Sequence, residues 1–327
     1  MNTILNWKRD DSMYKSIITD QLSMNLEEAL IIAKKYKYNY VEIHSLWGKT
    51  IEDLNKGEVT KAKKLLVKYN MKVSSVGSTI FFMCPLYENY KISNFNSKFL
   101  VSKGNFNQHL KKLKDVIEIA HILDAKIIRI FPFRAPNNKK LVGTDDDLDL
   151  IIEKLKVPTE IVEDTDLILA LENCPHSYLP KGIMTKKVID SIDSNNLKLL
   201  WDPANSFRAP INTLPNQYKN INLTDELKQI KNHIVHIHLK DYLKNPSEIN
   251  EPSALNSPAQ CCSISTKGFE HVSMGKGSID YSDLLSKLSA TGYDYALSLE
   301  PEVGYSDSLE SMKYLTSLLE EIQNVKL

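Results

Sequence analysis

The sequence predicts a single (β/α)8 TIM barrel, and three observations support this prediction. Short runs rich in Ile, Val and Leu alternate with longer amphipathic segments rich in Lys and Glu along the chain. This alternation is typical of parallel βα units, and eight such units close a barrel. An open, doubly wound sheet is the alternative. It usually carries a glycine-rich phosphate turn after an early strand, and the sequence shows none.

The expected elements follow one another in a regular order. The eight predicted strands lie at 16–20, 40–44, 72–77, 127–132, 167–172, 197–202, 234–240 and 295–300. Helical patterns between them lie at 26–36, 59–69, 110–123 and 282–291. We interpret residues 1–14 as a short N-terminal arm, so that one barrel domain occupies 15–327.

Two long connections depart from the βα period. Residues 78–108 follow the third predicted strand and are rich in aromatic side chains, whereas 243–271 follow the seventh and are rich in Pro, Ser and Asn. In a barrel both would lie at the C-terminal face, where loops carry function. We interpret them as loops that cover a substrate, and the alternative is an insertion without a function.

Composition narrows the classes of partner. The 327 residues include 41 Lys and Arg and 41 Asp and Glu, which gives a formal net charge of zero. This balance gives no reason to expect binding to nucleic acid or to an anionic membrane. No stretch approaches the ~20 apolar residues of a membrane span, and the N-terminus lacks the apolar segment of a signal peptide. None of the four cysteines forms a CxxC pair, so we expect a reducing cytoplasm.

Four of the later predicted strands end on a side chain that can bind a metal. The four residues are Glu172, Asp202, His238 and Glu300. Successive side chains in a strand point to opposite faces, so Leu167, Leu169 and Leu171 share the face opposite Glu172. The leucine face suits packing against outer helices. The carboxylates are therefore expected to point into the barrel, at its mouth.

A shared metal ion would explain this convergence. An isolated buried carboxylate is costly, and three carboxylates at one mouth would repel one another. A divalent cation removes both problems. Three carboxylates and one imidazole suit Mn²⁺ or Mg²⁺, with Co²⁺ and Zn²⁺ as alternatives. A lone Glu at a strand end is more often a salt-bridge partner, but four aligned strand ends favour one bound divalent metal.

Several stretches resemble the sugar phosphate isomerase/epimerase family, whose members have a xylose isomerase-like TIM barrel. The matching stretches include LALENCPHS, LLWDPANSF, HIVHIHLKDY and GYDYALSLEPE. The resemblance runs from about residue 15 to 320, apart from 243–270. It implies that the metal is held by the Glu of LEN, the Asp of WDPAN, the second His of HxHxKD and the Glu of SLEPE. Those positions are the same four residues, Glu172, Asp202, His238 and Glu300.

The resemblance also implies a chemistry. A metal-dependent isomerase or epimerase of a small sugar would move a proton next to a carbonyl, with Glu172 and Glu300 as the acid–base pair. A dehydratase of a keto-sugar or keto-cyclitol would use the same groups. A sugar-binding barrel without turnover is a further alternative. The branch that cuts DNA at abasic sites is disfavoured, because Asn205 stands where that branch has a histidine and the chain has eight His in all.

Weaker candidates surround the expected mouth. The candidates for contacts with a sugar are His176, Lys240, Asn205, Arg134 and Trp47. His176 lies in the fifth loop, Lys240 shares the face of His238, and Arg134 follows the fourth strand, where it could anchor an anionic group. The Trp47 indole suits stacking on a sugar, although packing under a lid is equally plausible.

Three further positions are less informative. We expect His236, one pleat deeper than His238, to be a core or supporting histidine, and we assign no role to Arg129. Gly275 and Gly277 are expected to make a tight turn, since two glycines alone do not identify a phosphate site. The sequence is compatible with either a monomer or a homo-oligomer.

Overall fold

The computed structural model describes residues 13–90, 92, 99–136, 140–244 and 268–324. Eight parallel strands form a nearly closed barrel, as predicted, and each strand overlaps its predicted range. The barrel strands are β1 (Tyr14–Ile17), β2 (Tyr40–Ile43), β5 (Lys72–Val76), β6 (Ile127–Ile130), β7 (Ile168–Glu172), β8 (Leu197–Trp201), β9 (Ile234–Leu239) and β12 (Ala296–Leu299). Two short antiparallel pairs are added, β3 (Ser45–Leu46) with β4 (Lys49–Thr50) and β10 (Asp241–Lys244) with β11 (Phe269–Val272).

Helices surround the barrel. They are α1 (Leu26–Lys35), α2 (Lys56–Lys68), α3 (Phe106–Leu123), α4 (Asp145–Val162), α5 (Gly182–Ile192), α6 (Pro203–Phe207), α7 (Asn216–Lys219), α8 (Leu223–Ile230), α9 (Tyr281–Ser289) and α10 (Tyr305–Asn324). Short 3-10 helices lie at Thr19–Gln21, Ile51–Asp53, Ile211–Thr213 and Lys231–His233. Helices α2 and α3 begin earlier than their apolar patterns predict, because Asn55 with Glu58 and Asn105 with Gln108 form capping boxes.

The strand order around the barrel is β1, β12, β9, β8, β7, β6, β5 and β2. Parallel pairing joins the neighbours in this order, through ladders of three or four residue pairs in most cases and through the single pair Val76 and Ile128 between β5 and β6. Strands β1 and β2 meet through one isolated bridge between Ile18 and Glu42. Inside the barrel, the hydroxyls of Ser16 on β1 and Ser74 on β5 lie 2.7 Å apart. The order places β2 opposite β8 across the barrel axis.

The two faces of the strands form different cores, as the alternation predicts. Leu169 and Leu171 belong to the large core between the strands and the outer helices. Ala170 lies on the other face and packs with Ile127, Leu200 and Val235 in a separate buried cluster. This small apolar cluster fills the barrel interior, and the polar residues of the same face lie above it.

The long connections are described in part. In the first, Phe82 and Met83 pack with Phe131 and Cys174 in a third apolar cluster, which contains residues from loops at the C-terminal face. In the second, β10 and β11 pair antiparallel on either side of residues 245–267, which lie outside the described residues together with most of the expected arm 1–14. The predicted covering role of 243–271 therefore stays a prediction.

Two findings bear on the expected environment of the chain. Within the ranges given above, no helix combines the length and apolarity that a membrane crossing needs. The side chains of Cys84 and Cys174 are both buried.

Candidate metal centre

The four predicted ligands converge at the C-terminal face of the barrel. One ligand atom from each of Glu172, Asp202, His238 and Glu300 lies within 4.8 Å of the other three. Glu172 ends β7, Asp202 follows β8, His238 lies in β9 and Glu300 follows β12. Three of the side chains are almost fully buried, and that of Glu300 is 13 % exposed.

The imidazole of His238 is fixed by a carboxylate from across the barrel. Its Nε2 lies 3.1 Å and 3.0 Å from the two carboxylate oxygens of Glu42 on β2. Its Nδ1 faces the oxygens Oε2 of Glu172 and Oε2 of Glu300, at 3.8 Å and 3.3 Å. A carboxylate that accepts a hydrogen bond from one ring nitrogen fixes the orientation of the ring and makes the other nitrogen a better ligand. His236, one pleat deeper, bonds the same Glu42 carboxylate through Nε2 at 2.8 Å.

Two cationic side chains reach the carboxylates. Lys240 Nζ lies 2.7 Å from Glu300 Oε2 and 2.9 Å from Asp202 Oδ2. On the other side, Arg129 Nη1 lies 3.4 Å from both Glu172 Oε2 and Glu300 Oε1. The remaining N–H groups of Arg129 donate to the backbone carbonyls of residues 77 and 78, which holds its guanidinium in place.

The cluster carries more negative than positive charge. The carboxylates in contact are those of Glu42, Glu172, Asp202, Glu300 and Glu302, and the permanent cations in contact with them are Lys240 and Arg129. Burial raises the pKa of Glu172 to about 7, and burial also raises the pKa of Asp202. Burial acts in the same direction on Glu300, but Lys240 and His238 hold the pKa of that carboxyl well below its usual range. The positive charges of Arg129 and Lys240 therefore offset the cost of burying Glu172 and Asp202 only in part.

The donor set fits a divalent cation. Asp202 Oδ1 accepts the N–H of Asn205 at 2.8 Å, but Asp202 Oδ2 and His238 Nδ1 are buried without a directed hydrogen bond in the described structure. Burial opposes a charge on His238, but Glu42, Glu300 and Glu172 hold its pKa well above the usual range. A cation that binds Nδ1 would replace that proton. Three carboxylates and one imidazole suit Mn²⁺, Mg²⁺, Co²⁺ or Zn²⁺.

Two of the five candidates for sugar contacts adjoin this cluster. Lys240 contacts Glu300 and Asp202, as described above, and Asn205 Nδ2 donates to Glu172 Oε1 at 3.2 Å. Asn205 therefore orients a predicted ligand. Its role toward a sugar stays a prediction, like that of Lys240.

The structure places the other three candidates in separate loops. His176 is half-buried, and its backbone carbonyl accepts the N–H of Ala135. Arg134 is buried with its guanidinium carbon 5.9 Å from the centre of the Phe82 ring. Trp47 lies in the turn between β3 and β4, and Lys61 Nζ lies 4.6 Å from the centre of its ring. Contacts of these three side chains with a sugar stay predictions.

Sequence reasoning missed Glu42 and Arg129. Both were detectable, because each is a charged residue in the middle of an apolar strand. In β2, Glu42 alternates with Val41 and Ile43, and in β6, Arg129 alternates with apolar neighbours. By alternation, each of these charges faces the barrel interior, where it needs a partner of opposite charge.

The glycine turn has a specific role. Asp241, the residue after Lys240, accepts the backbone N–H groups of Gly275 and Gly277 at 3.0 Å each. A Cβ on Gly277 would lie 2.0 Å from Asp241 Oδ1. The two glycines thus make the expected tight turn, and its N–H groups bind a carboxylate of the protein itself.

Comparisons with known proteins agree with the fold. A family model described as xylose isomerase-like TIM barrel matches residues 30–318. An uncharacterized protein of Methanocaldococcus jannaschii is 25% identical over 230 residues, which cover 67% of each chain.

Two solved structures are similar over almost the whole chain. A D-tagatose 3-epimerase-like protein superposes with a TM-score of 0.66 at 19% identity, covering 96% of this chain and 100% of its own. The IOLI protein with a bound zinc atom gives a TM-score of 0.66 at 16% identity, covering 95% of this chain and 99% of its own. At these identities the likeness shows the fold alone.

Proposed function

The chain belongs to the xylose isomerase-like TIM barrel family, and from this premise we propose that it is a divalent-metal-dependent isomerase or epimerase of a small sugar or sugar derivative. The reaction is proton transfer next to a carbonyl. One observation carries the proposal, namely that four ligand atoms from four strand ends lie within 4.8 Å of one another. The undercompensated charge of Glu172 and Asp202 supports it.

The metal would be held by Glu172, Asp202, His238 and Glu300. When bound, it would polarise a substrate carbonyl and stabilise the negative charge that develops as the neighbouring carbon loses a proton. The names of two proteins with the same fold support a metal-dependent epimerase or isomerase. One is called D-tagatose 3-epimerase-like, and the other was solved with a bound zinc atom.

Two glutamates on separate strands can exchange the proton with the substrate. Glu172 on β7 and Glu300 after β12 come from strands that are not adjacent, and Arg129 Nη1 lies 3.4 Å from an oxygen of each. Lys240 keeps Glu300 ionised, because its ammonium group lies 2.7 Å from Oε2. One carboxylate would remove the proton from carbon, and the same or the other carboxylate would return it. A positioned general base typically contributes roughly 10²–10⁴-fold to the rate.

The first test is metal content. Purified protein should carry about one divalent ion per chain, because the other possible ligand group, Glu42, His236 and His238, shares His238 with the proposed site. Glu172→Gln, Asp202→Asn and His238→Ala should each lower the occupancy measured by elemental analysis, with a retained circular dichroism spectrum. Full occupancy in all three variants would contradict the assignment of the ligands.

The second test is solvent exchange. Metal-loaded protein is incubated in heavy water with a panel of ketoses, aldoses and keto-glycosides, and deuterium at carbon is measured by NMR. Glu172→Gln and Glu300→Gln should abolish the exchange. Glu226→Gln is a matched control, because Glu226 is also buried but bonds Trp201 and Ile183, outside the cluster. Turnover at the wild-type rate in either of the first two variants would exclude the mechanism. Loss of water from the substrate would identify the dehydratase alternative.

A further inference from the structure

A second polar group lies at the C-terminal face, on strands that do not supply the metal ligands. Asp20 follows β1 and His44 follows β2, and His44 Nδ1 lies 2.7 Å from Asp20 Oδ2. The hydroxyl of Ser45 donates to the same Asp20 oxygen. We call Asp20 and His44 the rim pair.

Among the residues that the structure describes, one nitrogen of the His44 imidazole has no hydrogen-bond partner. The Asp20 carboxylate accepts from Nδ1, so the neutral ring carries its proton there and has a lone pair at Nε2. His44 is 5 % exposed, and in the described ranges no donor or acceptor is hydrogen-bonded to Nε2. Buried polar atoms are almost always hydrogen-bonded, and an exception calls for an explanation such as a ligand.

His44 lies inside the mouth of the barrel, on the side opposite the predicted metal ligands. Along β2, His44 comes two residues after Glu42, so both side chains lie on the interior face, with His44 about 7 Å nearer the C-terminal end. Glu42 reaches across to His238, which places His44 above this contact. In the strand order β2 lies opposite β8, which precedes Asp202. His44 therefore lies across the mouth from the metal ligands.

The surroundings of His44 suit a sugar. The backbone at Gly77 packs closely against the side chains of Glu42 and His44. Only glycine fits there, since a Cβ would lie 2.8 Å from Glu42 Oε1 and 3.4 Å from His44 Cβ. The Phe99 ring stacks on the imidazole at 5.3 Å between centroids, and Phe82 meets Phe99 edge-on at 6.0 Å. An acceptor nitrogen beside an aromatic wall matches a hydroxyl group next to the apolar C–H face of a sugar.

We propose that His44 contacts the substrate, with Nε2 accepting a hydrogen bond from a hydroxyl at the end of the sugar remote from the metal ligands. Asp20 is a positioning residue that fixes the ring. A lone pair backed by a carboxylate selects a neutral hydroxyl and disfavours a phosphate or carboxylate at that end. The inference rests on the proposed function, and it specifies a sugar that is not phosphorylated at this end.

The first test is the tautomer of His44 in metal-loaded, ligand-free protein, measured by ¹⁵N NMR of labelled histidines. His44 should carry its proton on Nδ1, and Asp20→Asn should weaken this preference, whereas Ser45→Ala should preserve it. His233 is an internal control, because its Nε2 bonds Asp190 at 2.7 Å and the neutral ring therefore has the opposite tautomer. A proton on His44 Nε2 in the wild type would overturn the proposal.

The second test adds xylitol, D-fructose, D-tagatose and D-fructose 6-phosphate as probes. The unphosphorylated probes should shift the Nε2 signal of His44 and leave His233 unchanged, with the phosphate ester binding more weakly. For a sugar that exchanges deuterium, His44→Ala should lower kcat/KM about two- to ten-fold, as for one lost hydrogen bond. Binding that leaves His44 unmoved contradicts this inference alone. No binding of any probe, with full metal content, contradicts the proposed function.

Discussion

Replacing Glu42 with Gln should weaken metal binding without removing a ligand. The Glu42 carboxylate accepts from Nε2 of both His236 and His238, and all three side chains are fully buried. A glutamine amide has one oxygen for two ring donors, and its NH₂ group must face the other ring. If that ring is His238, it turns to the tautomer with a proton on Nδ1, the atom that faces the metal ligands.

The expected loss of metal affinity can be worked out from this loss of orientation. Loss of a residue that orients a metal-bound histidine typically lowers metal affinity about 10–100-fold. This corresponds to about 1.4–2.7 kcal/mol of binding free energy. Because binding to the native state alone stabilises it, the gain in unfolding free energy at saturating metal should shrink by the same amount, about 1.4–2.7 kcal/mol.

The assay is calorimetric titration of metal-free protein with Mn²⁺ and Zn²⁺, together with thermal melts. Glu226→Gln is the control, since it removes an equally buried carboxylate that bonds Trp201 Nε1 at 3.1 Å and lies outside the cluster. It should lower the melting temperature and leave metal affinity unchanged. Wild-type affinity in the Glu42 variant would refute the reasoning.

Two further predictions concern stability. Burial lowers the pKa of His109 to about 4 from 6.5, so the unfolded chain takes up a proton first as the pH falls. Stability present above pH 6.5 should be lost by about 3 kcal/mol down to pH 4. Urea unfolding of His109→Gln should show a flatter pH profile, and an unchanged profile would contradict this assignment. Gly277→Ala should lower the melting temperature, because the new Cβ would lie 2.0 Å from Asp241 Oδ1. Gly304→Ala is the matched control, because a Cβ there would lie no closer than 3.8 Å to Asp307 Oδ2. It should leave the melting temperature nearly unchanged, and equal melting temperatures for the two variants would contradict the prediction.

Much of the fold and of the candidate metal site follows from local sequence pattern. The period of two in the strands placed Glu172 and Glu300 on the face opposite the leucines, and the structure has them there. This works because parallel strands end at one edge, so that strand-end residues from distant parts of the sequence meet.

Other contacts join side chains from distant segments of the chain, and the local sequence pattern does not show which segments meet. Glu42 and Arg129 were detectable as charges within apolar strands, but their partners, His238 and Glu172, lie on strands elsewhere in the barrel. The pairing of Asp20 with His44 depends on the paths of two loops after β1 and β2, which tertiary packing decides.

The single bridge between β1 and β2 gives the barrel a seam. Most other neighbouring strands are joined by longer ladders, so the amides of β1 and β2 that face each other should exchange with solvent sooner than those of β7 or β8. Glu42 takes part in that bridge through its backbone and in the contact with His238 through its side chain. An ion that immobilises His238 would also immobilise one edge of the seam. Metal loading should therefore slow hydrogen exchange at Glu42 more than at strands remote from the seam, so that the barrel closes most firmly when the site is filled.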